Sequence, residues 1–264
     1  MWSADLLTAK INSNFAQFAH LPVGDYDRKR SFYFSSKLVS QVRVRQHVNP
    51  LSLKYQQPIE PPDWSTVFAD PTRSLHLDIG CGRGQFLLQM AEQQPELNFL
   101  GLEIREPLVI QANQNRAELG LTNLNFLFCN VSNSIAPLLA SYQPGQLRQV
   151  TIQFPDPWFK KRHQKRRVVQ PELVNQLAHF LIGDGWVLLQ SDIEEVAIEM
   201  RDRFVADPAF FSADADWLTC NPLPVPTERE QMVAAQGDPV YRSLFKRRSG
   251  ADAEQSAGSR KAWN

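Results

Sequence analysis

From Ser74 to Val205 short apolar runs alternate with segments of helical spacing, and this rhythm limits the possible folds more than any other feature of the chain. Leu75–Ile79, Asn98–Leu102, Leu124–Phe128, Gln149–Phe154 and Trp186–Gln190 read as strands. Phe86–Gln93, Pro107–Leu119, Pro171–Ile182 and Ile193–Val205 read as the helices between them, with Pro107 at a first turn, where a missing N–H is tolerated. Strands joined through helices lie parallel, because the crossover returns the chain to the end from which it started. The expected fold is α/β: a Rossmann-like, doubly wound, mostly parallel seven-stranded sheet. Trp217-Leu218-Thr219 and Val240–Lys246 are expected to complete it as a C-terminal antiparallel strand pair.

The clustered prolines Pro58, Pro61 and Pro62 mark residues 1–70 as an N-terminal extension, partly irregular. Residues 71–248 form the folded domain, and the small, polar tail 249–264 is expected to be disordered. The 28 basic and 28 acidic residues cancel, so overall charge gives no attraction to a polyanion. Local charge does, because basic residues gather at Arg28-Lys29-Arg30, at Arg43 and Arg45, at Lys160–Arg167 and at Lys246-Arg247-Arg248. No apolar run reaches membrane-spanning length, and the N-terminus lacks the pattern of an export signal. Cys81, Cys129 and Cys220 are too far apart for a disulfide framework or a metal site. A cytoplasmic protein without metal or membrane partner is expected.

Leu77-Asp78-Ile79-Gly80-Cys81-Gly82-Arg83-Gly84 falls at a strand-to-helix turn. Alternating glycines let the backbone approach a ligand closely and reach conformations closed to other residues. The next strand ends in Glu103, an acid suited to a ribose diol. The spacing differs from a dinucleotide fingerprint, and Asp78 directly before the loop repels a pyrophosphate. A cofactor with a ribose and a cationic amino-acid part suits these acids, and S-adenosylmethionine has both. Asn130, after the third strand, is placed to meet the adenine edge, although alone it reads as a turn residue.

Phe154-Pro155-Asp156-Pro157-Trp158-Phe159-Lys160-Lys161 is the most specific stretch, and Arg162-His163-Gln164-Lys165-Arg166-Arg167 follows at once. Prolines on both sides of Asp156 fix φ and bar a helix. An acid is thus held on a stiff turn beside an aromatic, with a reserve of positive charge for phosphates. Trp158 either stacks on a base or covers the sheet edge.

With these features in chain order, the sequence resembles the bacterial tRNA (guanine-N7-)-methyltransferase family, over roughly residues 35 to 247. The resemblance implies the class I methyltransferase fold, S-adenosyl-L-methionine as cofactor and methyl transfer to N7 of guanosine in the tRNA variable loop (position 46). It places Asp78, Gly80, Gly82, Gly84, Glu103, Asn130 and Asp156 at the cofactor, with Asp156 also at the reaction centre. Lys160, Asp192, Thr227, Glu228, Arg229 and Glu230 would meet the target nucleotide. Arg162, His163, Gln164, Lys165, Arg166 and Arg167 would meet RNA. The family often has glutamate at Asp78 and usually aspartate at Asn130. A monomer or a homodimer is compatible with it.

Guanine N7 carries a free lone pair at the major-groove edge, so its methylation needs no general base. Alignment then carries catalysis. Asp156 or Asp192 can accept from the adjacent N1–H and N2–H₂ of guanine, since a carboxylate only accepts. Each has a plainer reading: Asp156 as a turn cap, and Asp192 as N-cap of the helix from Ile193 with Glu195 at N3. Thr227–Glu230 reads both as a lid and as a helix start. Two other functions fit less of the chain. A small-molecule or protein methyltransferase has no use for the basic run, and a non-catalytic RNA-binding module has none for Asp78, Glu103 and Asp156.

Overall fold

A computed structural model describes residues 48–249. The basic groups at residues 28–30 and at Arg43 and Arg45, most of the N-terminal extension, and the tail 250–264 lie outside the described residues. The elements run α1 (Trp64–Val67), β1 (Leu75–Ile79), α2 (Gln85–Gln93), β2 (Asn98–Glu103), α3 (Glu106–Glu118), β3 (Leu124–Phe128), α4 (Val131–Ala140) and β4 (Leu147–Gln153). They continue through α5 (Pro171–Phe180), β5 (Trp186–Ser191), α6 (Glu194–Ala206), β6 (Phe210–Ser212), α7 (Glu228–Gln236) and β7 (Tyr241–Arg247). Short 3₁₀ turns lie at Leu53–Tyr55 and Lys161–Arg166.

The described strands form one seven-stranded sheet in the order β3-β2-β1-β4-β5-β7-β6. β1 to β5 are mutually parallel, and β7 runs antiparallel to both β5 and β6. Every residue of β1 and β2 is buried, as central strands require when helices cover both faces. The helices supply those covers from one stripe each: α2 buries Phe86, Leu87, Leu88, Met90 and Ala91, and α5 buries Leu173, Val174, Leu177 and Ala178. Among the described residues, no helix is long and apolar enough to cross a membrane.

Three features depart from the sequence expectation. The first is α4, which contains Pro137 and a Ser-Asn-Ser run that favours turns. Burial of Val131, Ile135, Leu138 and Leu139 on one side outweighs these local preferences. The second is the partner of β7, which is Phe210–Ser212 and not Trp217-Leu218-Thr219. Phe210 packs edge-on against Phe204 at 5.0 Å, and Phe204 stacks on Phe245 of β7 at 5.2 Å. Trp217 instead sits under the Arg201 guanidinium at 5.1 Å, and its segment touches β7 through the Leu218 N–H donating to Arg242 O. The third is the end of the extension. Trp64 stacks on Tyr142 at 4.2 Å, and Phe68 is buried in the core.

Candidate active site

The chain moves outward from β1 through β2 to β3, then returns to lay β4 against the other edge of β1. Crossovers leave β1 and β4 in opposite directions, so a crevice opens where their carboxyl ends meet. A cavity occupies that crevice, lined by Gly80, Glu103, Arg105, Asn130, Asp156 and Trp158 among others. The topology thereby brings together the glycine loop, the acid ending β2 and the Pro-Asp-Pro turn.

The glycine loop uses the freedom its sequence promised. Gly80, Gly82 and Gly84 have φ of +83°, +58° and +73°. A Cβ at Gly80 or Gly82 would meet nothing within 4 Å, so open space lies over the loop. Gly84 closes the turn against the fold, and a Cβ there would fall 2.5 Å from the Phe126 ring. Strain and overlap together put the expected destabilisation of Gly84→Ala at about 3 kcal/mol, which a urea melt would read as a lower midpoint at unchanged slope.

Asp78 is buried and accepts from the Thr151 hydroxyl at 2.6 Å, its register partner on β4. Burial raises its pKa to about 6, opposed by hydrogen bonding from Thr151 and Gln153 and assisted by the charge of Glu103. Thr151 also meets His76 Nε2 at 3.1 Å. On the other side of the ring, His76 Nδ1 meets Gln149 Oε1 at 2.9 Å. Burial lowers the His76 pKa to about 4, which keeps the ring neutral. The polar seam continues in register from Gln153 to Gln190 and Arg242. Gln190 Nε2 donates to Gln153 Oε1 at 2.7 Å, and Arg242 Nε donates to Gln190 Oε1 at 2.7 Å. Gln153, at the Asp78 end of this chain, is buried with its amide acting on the Asp78 carboxyl.

Glu103 is fully engaged. Oε1 accepts from Arg105 N and Nε, both at 2.9 Å, and Oε2 accepts from Gly82 N at 3.0 Å and Arg105 Nη2 at 2.8 Å. The charge of Asp156 acts on the same guanidinium. Asn130 lines the cavity, but its amide is committed elsewhere. It caps α4 by accepting from Ser132 N at 3.2 Å, and its Nδ2 donates to Pro50 O at 3.0 Å and Tyr55 O at 3.2 Å. These contacts match the turn-residue reading of its side chain. Cys81 and Cys129 are kept protonated by burial, Cys129 with its pKa pushed up to about 12, so neither thiol is primed as a nucleophile.

The Pro-Asp-Pro turn is bracketed by residues in the left-handed region, Phe154 at φ +50° and Trp158 at φ +43°. Such backbone persists only where the surroundings hold it. Phe154 N donates to Gln190 O at 2.8 Å, and Arg167 Nε donates to Pro157 O at 2.7 Å. Trp158 faces the Arg166 guanidinium at 4.9 Å and the His163 ring edge-on at 5.8 Å.

The basic run divides in two. Lys160, Lys161, Arg162 and Lys165 are exposed. Arg167 is 5% exposed and ion-paired with Glu195 at 2.7 Å and with Glu199. Gln164 donates to Glu195 at 3.1 Å, which brings the run onto α6. In the half-buried cluster Lys246-Arg247-Arg248, Arg247 donates to Ala178 O and Arg248 to Pro208 O.

Asp192 and Arg229 form an ion pair that joins the end of β5 to α7. Asp192 does not cap α6; Ile193 occupies the cap position, and its N–H is taken by Ser191 Oγ at 3.0 Å. Thr227 does cap α7, accepting from Glu230 N at 3.1 Å. Glu228 lies in the exposed first turn. Glu230, in the same turn, is engaged within the fold. It is buried and accepts from Arg242 Nη2 and Asn221 Nδ2, both at 2.7 Å. Arg105 and Gln153 escaped the sequence reading. The one sign of either was its place, two residues past Glu103 or one before Phe154, at a strand end.

The family model described as "Putative methyltransferase" matches residues 72–243. The chain is 61% identical over 207 residues to the tRNA (guanine-N(7)-)-methyltransferase of Trichormus variabilis, covering 78% of this chain and 96% of that protein. It is 59% identical over 209 residues to the protein of the same name from Microcystis aeruginosa, covering 79% and 99%. Among solved structures, an rRNA methylase from Streptococcus thermophilus aligns with 67% of this chain and 89% of its own, with a TM-score of 0.43 and 14% identity. With identity this high over nearly the whole length of the relatives, the chain belongs to the tRNA (guanine-N(7)-)-methyltransferase family.

Proposed function

We infer that this chain transfers a methyl group from S-adenosylmethionine to N7 of a guanosine in the variable loop of tRNA. The observation that carries the site assignment is the shared cavity: Gly80, Glu103 and Asp156, from three separate strand ends, line one crevice. The residues suit the cofactor. Open space above Gly80 and Gly82 admits its amino-acid part, and Asp78 offers a carboxylate to an ammonium group. Glu103 would hold the ribose diol after the Arg105 guanidinium turns away, because all four of its acceptor positions are otherwise filled.

The bound cofactor supplies an electrophilic methyl group on a sulfonium. Guanine N7 needs no deprotonation, so this chain's residues align and stabilise. Asp156, fixed between Pro155 and Pro157, is assigned to the guanine edge and to the positive charge that develops on the methylated ring. Lys160, Lys161, Arg162 and Lys165 are assigned to phosphates at the rim. Asp192, Arg229, Thr227 and Glu228 are assigned to the target nucleotide, and Glu230 with Arg242 fastens their segment to the sheet.

Incubation with methyl-labelled cofactor and tRNA, followed by cleavage specific for N7-methylguanosine, tests the reading. Label at one variable-loop guanosine is expected, and unlabelled tRNA would refute it. The Asp78 carboxyl adds a pH signature. An ammonium group needs the ionised form, so cofactor affinity is expected to hold above pH 6 and to fall up to tenfold per unit below it. Stability moves the other way, since a carboxylate that is costly to bury is relieved as pH drops through about 6. Calorimetric titration with S-adenosylhomocysteine between pH 5 and 8 would show the first trend, and a flat profile would remove Asp78 from the cofactor site.

A further inference from the structure

We propose that Phe159 is a stacking platform for the RNA, which takes the place in the base stack that the target guanosine leaves when it enters the cavity. The proposal rests on the reading of tRNA as substrate given above. Among the described residues, Phe159 is the one exposed aromatic side chain, at 67%. A single apolar side chain in water is ordinary, but the surroundings of this one are specific. Its neighbour Trp158 lines the cavity and faces the Arg166 guanidinium at 4.9 Å, so the chain turns one ring inward and the next outward beside the site. The exposed cations Lys160, Lys161, Arg162 and Lys165 follow directly. The backbone is pinned on both sides of the ring. Pro157 O accepts from Arg167 Nε at 2.7 Å, and Lys160 O accepts from His163 N at 2.6 Å.

An exposed ring among cations matches a single-stranded stretch of nucleic acid, in which phosphates take the cations and a base lays its π-face on the ring. Extrusion of one base leaves its neighbour with a bare face, and an inserted apolar side chain can cover it. The position along the chain fits this. Asp156, assigned to the extruded guanine, lies three residues before Phe159. Three residues span about 10 Å at most, a reach from one nucleotide to the next. A ring whose backbone is already held loses little freedom when a base settles on it.

Phe159→Ala is expected to weaken tRNA binding by about fivefold to a hundredfold, the range of a lost base–aromatic stack. The loss should be the same at every salt concentration, since no phosphate contact goes with it, and affinity for S-adenosylhomocysteine and the melting midpoint should stay at wild-type values. Phe159→Trp and Phe159→Tyr keep a plane and should bind as wild type does. Phe159→Leu keeps apolar bulk without the plane and should bind nearly as weakly as alanine. Two tRNAs, each with an abasic nucleotide on one side of the target guanosine, complete the test. One of them should reduce wild-type binding to the level of Phe159→Ala and cost that variant nothing further. Phe159→Ala protein that binds tRNA within twofold of wild type would overturn the proposal, as would Phe159→Leu protein that binds as wild type does. Penalties that add in full on both abasic tRNAs would overturn it too. So would self-association of the wild type that Phe159→Ala abolishes, which would assign the ring to a contact between copies of the chain. Wild type that neither binds nor methylates tRNA would refute the substrate reading itself, a result distinct from active wild type with an unaffected Phe159→Ala variant.

Discussion

Asp156→Ala is expected to lower the single-turnover rate of tRNA methylation by about 10²–10³-fold, the range found when one preorganised electrostatic contact is removed from a reacting group. The reason lies in what the reaction demands. Guanine N7 is already a nucleophile, so no proton-transfer residue shares the work, and the loss of one aligned carboxylate is not covered by a second catalytic group. The turn leaves Asp156 little freedom, because prolines flank it and the strained Phe154 and Trp158 are tied down by Gln190 and Arg166. Asp156→Asn keeps the shape and one acceptor but removes the charge. It should retain more activity than alanine, and the gap between the two variants measures the contact to the guanine edge apart from the charge. A rate in Asp156→Ala within threefold of wild type would remove Asp156 from the reaction centre.

Arg167→Ala is expected to lower stability by about 2–4 kcal/mol, whereas charge reversal at Arg162 or Lys165 should leave the melting midpoint unchanged and weaken tRNA binding. Arg167 is 5% exposed and holds Glu195, Glu199 and the Pro157 carbonyl at once. Glu199, at 23% exposure, keeps Arg203 as a partner, and Glu195 is 58% exposed, which places the effect below the upper range for broken buried pairs. The Pro157 contact adds a second consequence, because the same substitution loosens the Asp156 turn and slows methylation. At Arg162 and Lys165 the expected loss is electrostatic. Each reversal should make the salt dependence of tRNA binding shallower by about one phosphate contact. Thermal melts and binding titrations at several salt concentrations check both halves. An Arg167→Ala protein as stable as wild type, or an Arg162 reversal with an unaltered salt slope, would contradict the division of the run.

The strand–helix rhythm made β1 to β5 legible, because periodicity is local and three strand ends carried a chemical marker: the glycine loop after Asp78, Glu103, and the Pro-Asp-Pro turn. Partners distant in sequence were not legible. Nothing in Arg162–Arg167 distinguishes the inward Arg167 from its neighbours until Glu195 and Glu199 arrive on α6. Glu230 looks like Glu228 until Arg242 reaches it from β7. Asn130 has the right type and place for adenine, yet Pro50 and Tyr55 claim its amide. β6 was missed because three residues are too few to show a period, and its register comes from Phe204 and Phe245.

The place of β7 in the sheet sets an order of assembly. β1 to β5 follow one another in the chain and pair only among themselves until β7 arrives, so the half of the sheet that carries Asp78, Glu103 and Asp156 can form from residues already made. β6 is synthesised earlier than β7 but has no strand to pair with until β7 is inserted between it and β5. The same late strand delivers Arg242, which ties Gln190 to Glu230 and so fastens α7 to the sheet. As the chain emerges from N- to C-terminus, the cofactor half can therefore become structured while the segment assigned to the nucleotide still lacks its anchor.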